Sequence, residues 1–257
     1  MKISTLLGVA ALAVAVSAPA GLVADEHEKK EETYIYATYF YCDASMEEKV
    51  DELVAKNSAP VYDAAVADGT IKGWGWLRHH TGGKWRRIQW HTSDTVEGLL
   101  SAQETIGARM DEALGGTDDG FNKYCRAHDD YIWQSVAGGD GTAERGKAGI
   151  SVYHVCSMAE EQRIDELFKK VAMPWLEKAV AEGKLASWGW NSHVFGGKYR
   201  RLETLTGPDF ASLLKARAEI ISNIYGEEGS PEAAEFDKLC TSHSDYMWEV
   251  VHEKVGS

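Results

Sequence analysis

A chain of 257 residues suits one large domain or two of ordinary size, and an apolar fraction of 44% with 10% aromatics is ample for buried cores. Forty acidic residues against 27 basic ones leave a net charge of −13. A surface that acidic repels phosphate backbones and anionic lipid, which excludes nucleic acid as the natural partner.

The chain opens on a targeting segment, residues 1–24. Lys2 supplies the positive start, and Leu6 to Val16 is an unbroken run of apolar and small residues, too short to span a bilayer. Ala18-Pro19-Ala20 offers a cleavage site after Ala20, and Leu22-Val23-Ala24 a second one before the charged tail of residues 25–33. No later stretch is long and apolar enough to suggest a membrane anchor. The expected product is soluble, in the periplasm or outside the cell.

Laid over itself with a shift of 114, the chain pairs Trp74-Gly75-Trp76 with Trp188-Gly189-Trp190, Gly82-Gly83-Lys84 with Gly196-Gly197-Lys198, and Arg86-Arg87 with Arg200-Arg201. The same register pairs Cys42 with Cys156, Asp51 with Asp165, Pro60 with Pro174 and His79 with His193. After a one-residue insertion near Gly226 to Ser230 it continues through Cys125 and Cys240, His128 and His243, and Trp133 and Trp248. A unit this long is a duplicated domain rather than a solenoid repeat. The expected organisation is a first copy over 34–137, a Gly-rich charged linker over 138–148 and a second copy over 149–257.

Each copy predicts the same elements. A β-rich run comes first (Tyr34 to Tyr41; Ile150 to Val155). In the first copy, Met46 to Ala67 then carries apolar residues at helical spacing, with Pro60 (Pro174 in the second copy) kinking or splitting the helix and Gly69 or Gly183 ending it. A Gly-Gly hairpin follows (Thr70 to His79 with Lys84 to Thr92; Leu185 to His193 with Lys198 to Leu205). A second helix starts at Asp94, with Glu97 completing a capping box, or at Pro208. Tyr131 to Val136 and Tyr246 to Val251 form a fourth strand. The order βαββαβ is the ferredoxin-like arrangement, so the fold class is α+β, with two tandem ferredoxin-like units packed sheet to sheet as a pseudo-dimeric α/β barrel.

In its element order and duplication the chain resembles the dimeric α+β barrel superfamily, which includes NIPSNAP-like, EthD-like and YCII-like proteins, antibiotic-biosynthesis monooxygenases and chlorite dismutases. The resemblance implies two sheets facing each other, and it admits cofactor-free monooxygenase or haem-dependent chemistry. A chlorite-dismutase-like haem site would take one histidine below the iron and an arginine above it, for which His154 or His193 with Arg87 are the candidates. No cofactor is otherwise expected.

Four cysteines at matching places in an exported chain point to disulfides rather than to metal or free thiols. In a ferredoxin-like sheet the end of the first strand lies beside the start of the antiparallel fourth, which pairs Cys42 with Cys125 and Cys156 with Cys240.

The block from Gly73 to Arg87 and its counterpart are the densest candidate site. Alternation puts Trp74 and Trp76 on one strand face and Gly73, Gly75, Leu77 and His79 on the other, the glycines admitting either a packed helix or a ligand. Trp76 and Trp190 are core residues or pocket walls. His79 and His193 are acid/base groups, metal or haem ligands, or partners of a backbone carbonyl. Arg87 and Arg201, on the face expected to carry Trp85 and Tyr199, hold an anion in the barrel interior or pair with surface acids. His128 with Asp130, and His243 with Asp245, are acid/base couples or caps of the last strand. The copies also differ: His154 stands where the first copy has Phe40, and Val194 and Leu205 stand where it has His80 and His91. These differences allow one site rather than two. The function expected is binding of a small apolar or anionic molecule in an aromatic-lined barrel cavity, with the enzyme readings above and an oligomerising scaffold (a homo-oligomer) as alternatives.

Overall fold

A computed structural model describes residues 32–142, 145–226 and 229–256; the expected targeting segment lies outside them. The strands are β1 (Tyr34–Cys42), β2 (Gly73–Gly82), β3 (Arg87–Ser93), β4 (Cys125–Asp140), β5 (Ala148–Cys156), β6 (Ser187–Phe195), β7 (Arg201–Gly207) and β8 (Cys240–Val255). They close into one antiparallel barrel in the order β1-β3-β2-β8-β5-β7-β6-β4. Helices α1 (Glu47–Leu53), α2 (Ala59–Ala67), α3 (Val96–Ala113) and α4 (Phe121–Tyr124) belong to the first half. The second half has α5 (Glu161–Val171), α6 (Met173–Ala181), α7 (Phe210–Tyr225) and α8 (Pro231–Leu239).

The last strand of each half is longer than expected. β4 and β8 run 16 residues each, because one edge pairs with β1 or β5 of its own half and the other with β6 or β2 of the opposite half. Gly138 and Gly139, expected in a linker, pair with Gly189 and Trp188. This cross-pairing satisfies backbone groups that would otherwise form an open sheet edge.

Pro60 does split the first helix. A π-turn over Val54–Ser58 separates α1 from α2, and the proline sits in the first turn of α2, where its missing N–H is harmless. Gly69 and Gly183 take φ of 77° and 70° after α2 and α6, the left-handed conformation that ends a helix. The starts of α3 and α7 fall one or two residues beyond the expected points, since Thr95 and Asp209 are the residues that cap Gly98 and Ser212.

Strand alternation sorts side chains into two layers. Inward-pointing residues, among them Tyr39, Trp85, Trp133, Tyr153, Tyr199 and Trp248, fill the barrel interior. Outward-pointing ones pack under the helices as two further cores, one per half. The glycines of the hairpin face away from the helices and leave room for side chains. Trp90 covers Gly75, and a Cβ there would meet its Nε1 at 2.5 Å. Gly83 lies under the Tyr246 hydroxyl and Gly197 under that of Tyr131, so each Gly-Gly turn admits a tyrosine from the opposite half.

Both disulfides are Cys42–Cys125 and Cys156–Cys240, with Cα atoms 3.9 Å apart in each. They tie the end of β1 to the start of β4, and β5 to β8, as the ferredoxin-like register requires.

Candidate functional site between helices and sheet

The arginine block forms a clamp. Arg87 directs Nε and Nη2 to the two oxygens of Asp51 at 2.7 and 2.8 Å, and Trp76 Nε1 donates to the same carboxylate at 2.7 Å. Glu47 completes the group, with Oε2 3.0 Å from Arg87. In the second half Arg201, Asp165 and Trp190 repeat it at 2.7, 2.9 and 2.8 Å, while Glu161 Oε1 stands farther off at 3.6 Å. Arg87 and Arg201 are each 1% exposed. Two expectations are thereby corrected: the arginines point outward under α1 and α5, opposite to Trp85 and Tyr199, and their planar forks are held by carboxylates and backbone carbonyls of their own half. They are neither interior anion holders nor surface ion pairs.

His79 and His193 point inward against the aromatic cluster. His79 Nε2 lies 3.1 Å from the Gly82 carbonyl, and Arg200 donates to His193 Nδ1 at 2.6 Å. Burial holds both below the ordinary histidine value, and at His193 the Arg200 charge adds to it. The pairings of His154 or His193 with Arg87 are not realised: Arg87 is locked in the first half, His193 faces inward, and His154 faces the helices of the second half. His128 and His243 do meet Asp130 and Asp245, at 3.0 and 2.6 Å, and both histidines are half exposed.

The cavities open between helices and sheet, on the face away from the barrel interior. In the second half, about 260 Å³ is enclosed by β5, β7, α5, α7 and α8. Its walls are mostly apolar (Val152, Phe168, Leu205, Ile220, Ile224, Phe236), and two polar side chains project from the sheet, His154 and Glu203. Their nearest approach is 4.0 Å, and His154 Nε2 has no hydrogen-bond partner. Burial pushes the Glu203 carboxyl up to about 7 and His154 down to about 3, the latter helped by the His243 charge. Near neutral pH this is a neutral imidazole beside a carboxyl poised between its two forms. Arg217, bound to Asp245 at 3.0 Å, and His243 also line the cavity.

In the first half the corresponding space is larger, about 450 Å³. Val54 stands there where Phe168 stacks on Trp190 at 3.8 Å. Phe40 and Gln89 replace His154 and Glu203, and Asp111, Asp118 and Asp119 line the same space.

No protein-family model matches the chain, and no curated protein matches it. Solved structures do. A candidate monooxygenase from Lactobacillus acidophilus superposes with a TM-score of 0.56 at 8% identity, over 88% of this chain and 97% of its own. An anthrone oxidase-like protein gives 0.54 at 10%, over 89% and 95%. Chlorite dismutase from Candidatus Nitrospira defluvii gives 0.54 at 8%, over 86% and 91%. The chain has the dimeric α+β barrel fold.

Within this dimeric α+β barrel, Glu203 is the residue that sequence reasoning missed. The signal was available: in the register of 114 it replaces Gln89, two strand positions from the substitution of Leu205 for His91, and on the neighbouring strand it lies diagonal to that of His154 for Phe40, two positions from its direct partner Val152. Asp51 and Asp165 were seen only as paired positions, since their bonds to Arg87 and Arg201 span 36 residues. Among the described residues, no group of three or more His, Cys, Asp or Glu side chains is placed to hold a metal ion.

Proposed function

We propose that the protein binds a small, largely apolar molecule carrying one weakly acidic group in the cavity of its second half, and that Glu203 accepts the proton of that group. The observation that carries the reading is a carboxyl held near pKa 7 in a mostly apolar cavity beside a neutral histidine. A base matched to the ambient pH transfers protons most effectively. The His154 Nε2 position, free of partners, orients the ligand's polar atom, and Arg217 on the cavity wall favours the anion left behind. The fold is shared with a candidate monooxygenase and an anthrone oxidase-like protein, which supports an aromatic carbon or oxygen acid as the ligand class.

Haem, the alternative cofactor, is a poor fit to the residues present. The cavity holding His154 encloses about 260 Å³, which admits a small molecule but not a tetrapyrrole. The larger one is lined by no histidine and carries three aspartates, which oppose propionates.

We further propose that the halves are tandem copies and that the chain is exported, with its first 24 residues or fewer removed. Two disulfides support an oxidising compartment. The N-terminal residue of protein recovered from the cell tests this: Gly21 or Asp25 is expected, and an intact Met1 contradicts it.

The binding reading is tested by calorimetric titration with anthrone and 1-naphthol in buffers of different ionisation enthalpy. Binding linked to proton transfer, with an apparent pKa near 7 that disappears in Glu203→Gln, is the expected result. Binding without proton linkage, or unchanged linkage in the variant, overturns it.

A further inference from the structure

The first-half cavity has a chemistry of its own. Its deep wall is aromatic, built from Phe40, Tyr62, Trp74, Trp76 and Phe121, and no Lys, Arg or His lines it. The indole N–H groups of Trp74 and Trp76 are already given to Asp63 and Asp51, at 2.8 and 2.7 Å. The tryptophans therefore offer no donor to an anion and leave only π surface to a guest. Tyr62 stacks on Trp74 with ring centroids 4.8 Å apart, and Phe40 meets Phe121 edge to face at 5.1 Å, so the wall is held in place before anything binds.

Asp111, Asp118 and Asp119 supply the charge. Asp118 and Asp119 accept backbone N–H bonds from Gly120 and Phe121 at 2.9 Å, and Asp119 also accepts from the Asn57 side-chain amide at 3.0 Å. Among the described residues the Asp111 carboxylate has no hydrogen-bond or ion-pair partner, and none of the three carboxylates has a cationic one. Three carboxylates without counter-charge, beside a wall of aromatic faces, form a site for a positive charge, since ring faces and carboxylates both attract one.

We propose that this cavity binds a small organic cation, an amine or quaternary ammonium attached to a flat apolar group. The proposal is independent of the proton-transfer site in the second half, where His154, Glu203 and Arg217 replace Phe40, Gln89 and Gln103 and Phe168 fills the space left open beside Val54.

The test is tryptophan fluorescence titration of the full disulfide-bonded protein with benzyltrimethylammonium, its neutral isostere neopentylbenzene, and phenylacetate. The cation is expected to saturate the signal at least about tenfold more tightly than the isostere, and to weaken as salt is raised. Asp111→Asn should weaken it a few-fold. Val54→Phe should abolish it while the chain still unfolds cooperatively, because Phe168 occupies the matching place in the other half. Glu203→Gln should leave the titration unchanged. Equal affinity for the neutral isostere, preference for phenylacetate, no saturation by the cation, or loss of binding in Glu203→Gln instead of Val54→Phe overturns the proposal.

Discussion

The two halves of the barrel share their supports and differ in their cavities. Trp76, Asp51 and Arg87 in one half and Trp190, Asp165 and Arg201 in the other form the same clamp, with bonds agreeing to about 0.1 Å. The disulfides and the Gly-Gly turns under tyrosine are likewise common to both. Around the cavities, by contrast, Phe40, Val54 and Gln89 of the first correspond to His154, Phe168 and Glu203 of the second, which also has Arg217 where the first half has Gln103. Matching residues thus hold a helix to a sheet, and the differing ones decide what each space admits.

The largest effect that tests this division lies in the clamp. Replacing Asp165 with Ala leaves the Arg201 guanidinium buried without its bidentate partner and the Trp190 N–H without an acceptor, a cost of about 5 kcal/mol. Asp51→Ala should cost about 1–2 kcal/mol less, because Glu47 remains 3.0 Å from Arg87 whereas Glu161 is 3.6 Å from Arg201. Urea unfolding of the two variants measures the difference, and an Asp51 variant at least as unstable as the Asp165 one breaks the account.

Reduction of the disulfides comes next. Each closes a loop of similar length, with sequence separations of 83 and 84, so the chain-entropy contribution is about 4 kcal/mol for either. Cys42→Ser with Cys125→Ser should therefore lower the urea midpoint as much as Cys156→Ser with Cys240→Ser. A clear inequality would show that Cys240, which lines the second cavity, acts through the cavity as well as through the loop.

How much of this was legible in the sequence divides along the same line. The fold was readable because local signals agreed with one another: hairpin glycines, helix-ending Gly69 and Gly183, and cysteines whose places only one register brings together. The site was less so. Arg87 and Trp85 were assigned to one face by strict alternation, yet β3 begins only at Arg87, and Trp85 belongs to the turn that swings into the interior. Counting from a residue outside the strand inverted the arginine's direction. The ends of β4 and β8 were missed because Gly138-Gly139 and the charged tail of β8 look like linker unless the opposite half is present to pair with them. Glu203 was missed because a single carboxylate in a strand carries no motif; its significance comes from α5, α7 and α8 burying it.

The halves also separate by pH. Glu203 holds its proton more tightly in the folded chain than in the unfolded one, so its ionisation removes stability as pH rises from 4.5 through about 7. His154 acts oppositely: the unfolded chain takes up its proton below 6.5 while the folded chain resists until about 3, so stability falls as pH drops through that window. Between about 4.5 and 6.5 the two slopes offset each other, which flattens the wild-type profile. Glu203→Gln installs the first-half residue and should stabilise the chain by up to about 3 kcal/mol at pH 8 and hardly at all at pH 4. Thermal unfolding across that range checks it, and a gain independent of pH contradicts a buried, titrating carboxyl.

The smallest effect lies inside the barrel, where the halves meet and cannot stay alike. Trp133 Nε1 donates to the Tyr39 hydroxyl at 3.2 Å, but Trp248, its counterpart, has no partner for its indole N–H. The counterpart of Tyr39 is Tyr153, and the two rings meet edge to face with centroids 5.5 Å apart. Both are almost wholly buried, so their hydroxyls compete for the same central space and only one settles against a tryptophan. Trp→Phe removes about the same apolar volume at either position. The difference between the two variants therefore isolates the hydrogen bond, and Trp133→Phe should be about 1 kcal/mol more destabilising than Trp248→Phe. Equal losses would mean that the interior rearranges to satisfy both indoles in turn, and that the asymmetry between the halves is confined to their cavities.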